Sequence, residues 1–150
     1  MTIGVFNVRR SIFIKAPPER VWEEFSSFER ISRWFGLGHT LHMLEPVVGG
    51  VADLSVEIGG ERRHFGGRVN VVEPERELSF EANWSAPHNW PVPTHFTIRL
   101  TGMYEGTLVE IFDHGFERLG PEGPDALEGY ESGWDIKHLR ALRGIVEHSI

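Results

Sequence analysis

The chain of 150 residues has no cysteine. That excludes a disulfide framework, a thiolate nucleophile and any Cys-ligated zinc or iron–sulfur site, and it suits a reducing cytoplasm. It also lacks a long apolar run, since no stretch approaches the roughly 20 residues that cross a bilayer. The opening MTIGVFNVRRSIFIKAP is broken by Arg9, Arg10 and Lys15, so it is not read as a signal peptide. Basic residues are few and scattered, and the formal net charge is −7. A nucleic-acid surface would show a basic stripe, so none is expected. There is no HExxH, no Gly-x-Ser-x-Gly elbow and no Walker-type phosphate loop. His39-x-x-His42 is the tightest histidine pair, but its loop position fixes no ligand geometry. No metal and no cofactor are expected.

What is present reads as one domain over 1–150, without repeats or linkers, of a length that builds a sizeable core. Val5 to Lys15 is β-rich and stops at Ala16-Pro17-Pro18. Pro18 to about Ser26 forms a short helix, because proline is tolerated at a first helical position. Phe28, Ile31, Trp34 and Phe35 share one side of a second helix that Gly36 and Gly38 end. The period then changes. Six β-rich runs follow, at Thr40–Val48, Val51–Ile58, Arg63–Val72, Glu77–Trp84, Thr94–Tyr104 and Thr107–Phe116. Hairpin-length turns between them predict an antiparallel meander with one face buried. Ser85 to Pro93 is longer and reads as a loop near a pocket mouth.

A long C-terminal helix is expected to cover the sheet. Asp125 and Glu128 suggest a capping box with Asp125 at the N-cap. At about 100° per residue, Leu127, Tyr130, Trp134, Leu139, Ala141, Leu142, Ile145 and Val146 share one half of the wheel.

In order, Ile12-x-Ile14-x-Ala16-Pro17-x-x-x-Val21-Trp22, Trp34-Phe35-Gly36, Gly67-x-Val69-x-x-Val72-Glu73-Pro74, Gly106-Thr107-x-Val109, His114-x-Phe116 and Gly133-Trp134 run nearly the whole chain. This set resembles the SRPBCC (START-like) superfamily, in the branch named after the activator of heat-shock-protein-90 ATPase. The resemblance implies an α+β helix-grip fold: a seven-stranded curved antiparallel sheet, two short helices and a long C-terminal helix over a cavity. It also implies a small hydrophobic ligand, such as a lipid or polyketide. The co-chaperone role of the eukaryotic namesake relies on a further domain, for which this length leaves no room.

Glu131, Asp135 and His138 interrupt the apolar face of the long helix. An ionisable group there is costly unless it is paired or faces a wet cavity. The carboxylates read either as a polar pocket end or as solvated, and His138 either as a satisfied core histidine or as pocket lining. His114 is a second histidine candidate. Trp34, Phe35, Trp84, Phe112 and Trp134 are candidate walls, although aromatics equally build ordinary core. The expected ligand-binding set is therefore Trp34, Phe35, Trp84, Phe112, His114, Trp134 and His138, with no catalytic residue assigned. A binding protein is favoured. A cyclase, dehydratase or hydrolase using His138 and His114, or a module stimulating a chaperone ATPase, are the alternatives. A homodimer and a chaperone partner stay open.

Overall fold

A computed structural model describes residues 7–37, 39–133 and 136–148, without the side chains of 131–133. β1 (Asn7–Ile14) leads into α1 (Pro18–Trp22), a single 3-10 turn (Glu23–Phe25) and α2 (Phe28–Phe35). Six strands follow: β2 (Thr40–Leu44), β3 (Val51–Ile58), β4 (Glu61–Glu73), β5 (Glu77–Trp84), β6 (Thr94–Met103) and β7 (Gly106–His114). A 3-10 segment (Phe116–Glu122) precedes α3 (Gly123–Gly133) and α4 (Lys137–Glu147).

The strands make one antiparallel sheet in the order β1-β7-β6-β5-β4-β3-β2. Consecutive hairpins build everything except the β1–β7 pairing, where Val8 lies opposite Asp113 and Ile12 opposite Val109. The sheet curls into a half-barrel. In β4, Gly66 takes φ 143° and the pairing with β5 slips between Val69 and Val71. A side chain at Gly66 would place its Cβ 2.0 Å from the Ala52 carbonyl oxygen, so only glycine lets β3 and β4 approach this closely.

Side-chain alternation sends Leu54, Phe65, Val69, Leu78, Phe80, Phe96, Ile98, Val109 and Ile111 to the concave face. Leu139, Leu142 and Val146 of α4 close over them. At about 25 cal/mol per Å² of apolar surface, this burial is the main stabilising force. Ser27 caps α2 by accepting a hydrogen bond from the Arg30 amide (3.2 Å). Glu24, fully buried, ties the first helical segment to α2. Its carboxylate accepts from Arg20 (2.9 Å), Arg30 (2.9 Å) and Arg33 (2.7 Å), while its carbonyl accepts from the Trp34 indole (3.1 Å).

Several details differ from the sequence reading, among them strand ends: β2 stops at Leu44 rather than Val48, and β4 starts at Glu61 rather than Arg63. The C-terminal helical segment is described as α3 and α4, with 134 and 135 outside the described residues. Its first length begins at Gly123, so Asp125 sits in the first turn rather than at the N-cap. There its charge still faces the positive end of the helix.

Candidate functional site

Between the helices and the concave face lies a pocket of about 310 Å³. Leu37, Val56, Ile58, Phe65 and Trp84 give it an apolar wall, and His39, Tyr130, Lys137 and His138 supply polar groups. A larger groove of about 680 Å³ runs along Glu73–Glu77 and Arg99–Gly102. That groove is charged and lies away from the helical cover, whereas ligand sites are mostly apolar with few polar groups. The smaller pocket is therefore the candidate.

Each wall residue arrives there by strand parity. Phe65 and Trp84 are register partners on β4 and β5, with ring centroids 4.9 Å apart. Val56 and Ile58 share their parity on β3 with Leu54. The loop Ser85–Pro93 backs this wall: the Asn83 side chain accepts from the Trp90 amide (2.8 Å), and the Trp90 ring meets Tyr130 at 5.6 Å.

His39, on the loop before β2, and His138, in the first turn of α4, form the polar end. His138 is buried, and its Nδ1 lies 3.3 Å from the Trp34 carbonyl oxygen. Phe35 stands behind both imidazoles, at 5.4 Å from His39 and 5.6 Å from His138. Burial pushes His39 down to about 4, and the neighbouring charges of His138 and Lys137 act in the same direction against a hydrogen bond with the Phe35 backbone. His39 is thus a neutral imidazole at neutral pH. Tyr130 is shifted upward, by burial around its hydroxyl and by the Asp113 carboxylate, although Trp84 donates a hydrogen bond to it. Its phenol stays protonated.

The structure brings together only part of the expected set. Trp84 and His138 line the pocket, and Phe35 backs it. Trp34 is fully buried among Phe25 and Phe35, so it is core. Phe112 and His114 do not line this pocket. They alternate with Ile111 and Asp113 and project from the convex face of β7, opposite Thr97 and His95. Phe112 is packed there beneath Arg9 and Arg99, whose guanidinium carbons lie 5.2 and 5.3 Å from its ring centre. His114 stacks on His95 at 5.6 Å, and burial lowers its pKa, followed by the His95 charge. Because His114 and His138 lie on opposite faces of the sheet, they do not form one acid–base pair. Trp134 and Asp135 lie outside the described residues, as does the Glu131 side chain.

Sequence reasoning missed His39, Lys137, Leu37, Val56 and Ile58 as lining. Val56 and Ile58 were signalled by alternation with Leu54. His39 was visible only as the partner of His42, from which the fold separates it: His42 lies on the outer face, 2.7 Å from the Ser55 hydroxyl and stacked on His64. No group of three or more His, Asp or Glu side chains able to hold a metal occurs among the described residues.

A curled antiparallel sheet gripping a C-terminal helical segment, with a pocket between them, defines a protein of the helix-grip class. The chain belongs to the family of activator of Hsp90 ATPase homolog 1-like proteins, whose pattern matches residues 15–147. No curated protein matches it. Among solved structures it is similar to protein MLL2253 from Mesorhizobium loti, at 24% identity and TM-score 0.69, covering 96% of this chain and 98% of that one. DynU16, described as a putative protein in the dynemicin biosynthetic locus, is 22% identical with TM-score 0.66; the match covers 97% of this chain and 49% of DynU16. The Aha1 dimer from Colwellia psychrerythraea is 19% identical with TM-score 0.62, covering 94% of this chain and 96% of that one. These likenesses establish the fold. No helix among the described residues is long and apolar enough to cross a membrane.

Proposed function

We propose that this protein binds a small, largely apolar molecule between its sheet and its C-terminal helices, in the cytoplasm. The observation that carries this reading is the roughly 310 Å³ pocket with an aromatic and aliphatic wall and one polar end. Its size is at the low end for small-molecule sites, which favours a short-chain or ring compound over a diacyl lipid. DynU16 is described as a putative protein in a biosynthetic locus, which is in keeping with a small-molecule ligand.

Native mass spectrometry of protein purified from its own host would reveal a retained small molecule. Thermal shifts across a panel of fatty acids, aromatic acids and polyketides would find stabilisers. Val56→Trp fills the pocket and should abolish both effects. A panel without any stabiliser, together with a mass showing protein alone, would sink the proposal.

The family description favours a second reading, a module that stimulates a chaperone ATPase. Mixing the protein with the chaperone and following ATP hydrolysis tests it, and an unchanged rate removes it. The Colwellia relative also supports a homodimer, which light scattering of the purified protein would reveal.

A further inference from the structure

One indole stands behind the pocket at its Trp84–Tyr130 end. Trp84 on β5 and Tyr130 on α3 both line the pocket, and the hydrogen bond between their side chains bridges sheet and helix there. Trp90 packs against both. Its ring centre lies 5.6 Å from that of Tyr130 and 6.4 Å from that of Trp84, at 88° to the latter. Phe116, fully buried, supports the group at 6.4 Å from Trp90 and 5.2 Å from Tyr130. Trp90 is nevertheless only half-buried, because it also borders an outer groove of about 520 Å³ with Pro87, Asn89, Glu122, Asp125 and Ala126. Ala126 and Tyr130 share one face of α3, about one turn apart. Groove and pocket are thus neighbours along the same helix.

Asn83 fixes this arrangement. Its side-chain oxygen accepts from the Trp90 amide (2.8 Å) and from the Trp84 amide (2.8 Å), while its nitrogen donates to the Trp90 carbonyl (3.1 Å). One amide side chain therefore holds the backbone of both tryptophans.

Resting on the pocket reading above, we propose that Trp90 sets the depth of the pocket, and so the length of ligand it accepts, with Asn83 as its positioning residue. The ligand's apolar body ends against Trp84 and Tyr130 because Trp90 fills the space behind them. Without that indole, the space behind the two rings opens toward the outer groove. Trp90 is in this sense a specificity-determining residue.

The test uses 1-alkanols from hexanol to dodecanol, neutral probes with one headgroup, titrated by calorimetry. In the unsubstituted protein affinity should rise about fourfold per added methylene, the value of one buried CH₂, and then stop rising once the pocket is filled. Trp90→Ala should move that stop to longer chains and leave hexanol affinity unchanged. Trp90→Phe, which keeps an aromatic plug, should move it less in the same direction. Glu122→Trp, placed in the outer groove, should leave the unsubstituted profile as it is but shorten the profile of Trp90→Ala. Asn83→Ala should also lengthen it, by freeing Trp90.

A stop that stays in place in Trp90→Ala overturns the proposal, and Trp90→Phe decides in the same way if the alanine variant does not fold. So does an equal loss of affinity at every chain length, which is the mark of a packing role alone. An affinity that keeps rising to dodecanol in the unsubstituted protein overturns it too. An unmoved stop in Asn83→Ala removes the role of Asn83. In each of these cases the pocket reading stands as long as Val56→Trp abolishes alkanol binding. Lack of binding by every alkanol overturns the inference and the pocket reading together.

Discussion

His39 and His138 face one another with ring centroids 5.2 Å apart, one carried by the loop before β2 and the other by the first turn of α4. Two imidazoles this close and this enclosed cannot both be charged without strong repulsion. The helix-to-sheet closure is therefore coupled to protonation.

His39 is neutral in the fold with a pKa of about 4, against an ordinary value of 6.5. Between those values the unfolded chain binds more protons than the folded one, so stability falls as pH falls. The contribution is complete above 6.5 and lost by about 4, and it amounts to about 2 kcal/mol because the ring is partly solvated. Denaturant midpoints measured across this range should drop on acidification. His39→Gln should flatten that slope, and an unchanged slope would show that His39 does not set it.

Glu24 is expected to matter more than any surface ion pair. Burial raises its pKa, but hydrogen bonds from Arg20 and Arg33 and the charges of Arg33 and Arg30 outweigh this and leave it lowered. A depressed carboxylate stabilises above its ordinary value of 4.5 and loses that contribution as pH falls below it. Glu24→Gln should cost about 2 kcal/mol, since the arginines remain partly exposed and can rehydrate. Thermal melts of the variant against the parent protein measure this directly, and an equal Tm would refute it.

Gly66→Ala should cost more than about 3 kcal/mol, because the Cβ meets the Ala52 carbonyl at 2.0 Å and the φ of 143° is closed to alanine. Gly59→Asn is the control. Its φ of +60° is left-handed, and nothing lies within 4 Å of the position, so asparagine should be accommodated. Equal melting temperatures for the two variants would contradict the steric argument.

Phe112→Leu separates the two faces of the sheet. The ring is buried beneath two guanidinium groups on the convex face, so its loss should lower stability by about 1–2 kcal/mol. Ligand affinity should stay unchanged. A large change in affinity at saturating folded protein would return Phe112 to the pocket.

Much of this architecture is legible in the residue pattern. The runs Val51–Ile58 and Glu77–Trp84 form strands with those bounds, and Phe28–Phe35 is a helix as its spacing predicts. Local period carries that information. The pocket was less legible because its wall depends on which face each strand turns inward. The parity of β7 is ambiguous: Leu108, Glu110, Phe112 and His114 mix apolar and charged residues, and so do Val109, Ile111 and Asp113. Only pairing with β6, which sets Phe112 opposite Thr97 and Ile111 opposite Ile98, resolves the direction. Trp34 looked like a wall because it is large, yet its indole is consumed by the Glu24 carbonyl in a packed core. His39 depended on tertiary approach, since its partner His138 is remote in sequence.

The pairing of β1 with β7 has a consequence for how the chain matures on the ribosome. Arg9 meets Glu110 across 101 positions, so the first strand has no neighbour until the last strand has been synthesised and has left the exit tunnel. Contacts of such separation fold slowly. In the interval, Val8, Ile12 and Ile14 present an unpaired edge to the cellular milieu, alternating with Arg9, Ser11 and Phe13 on the other face. For this fold, the order of translation makes the N-terminal strand the final piece of the sheet to find its place.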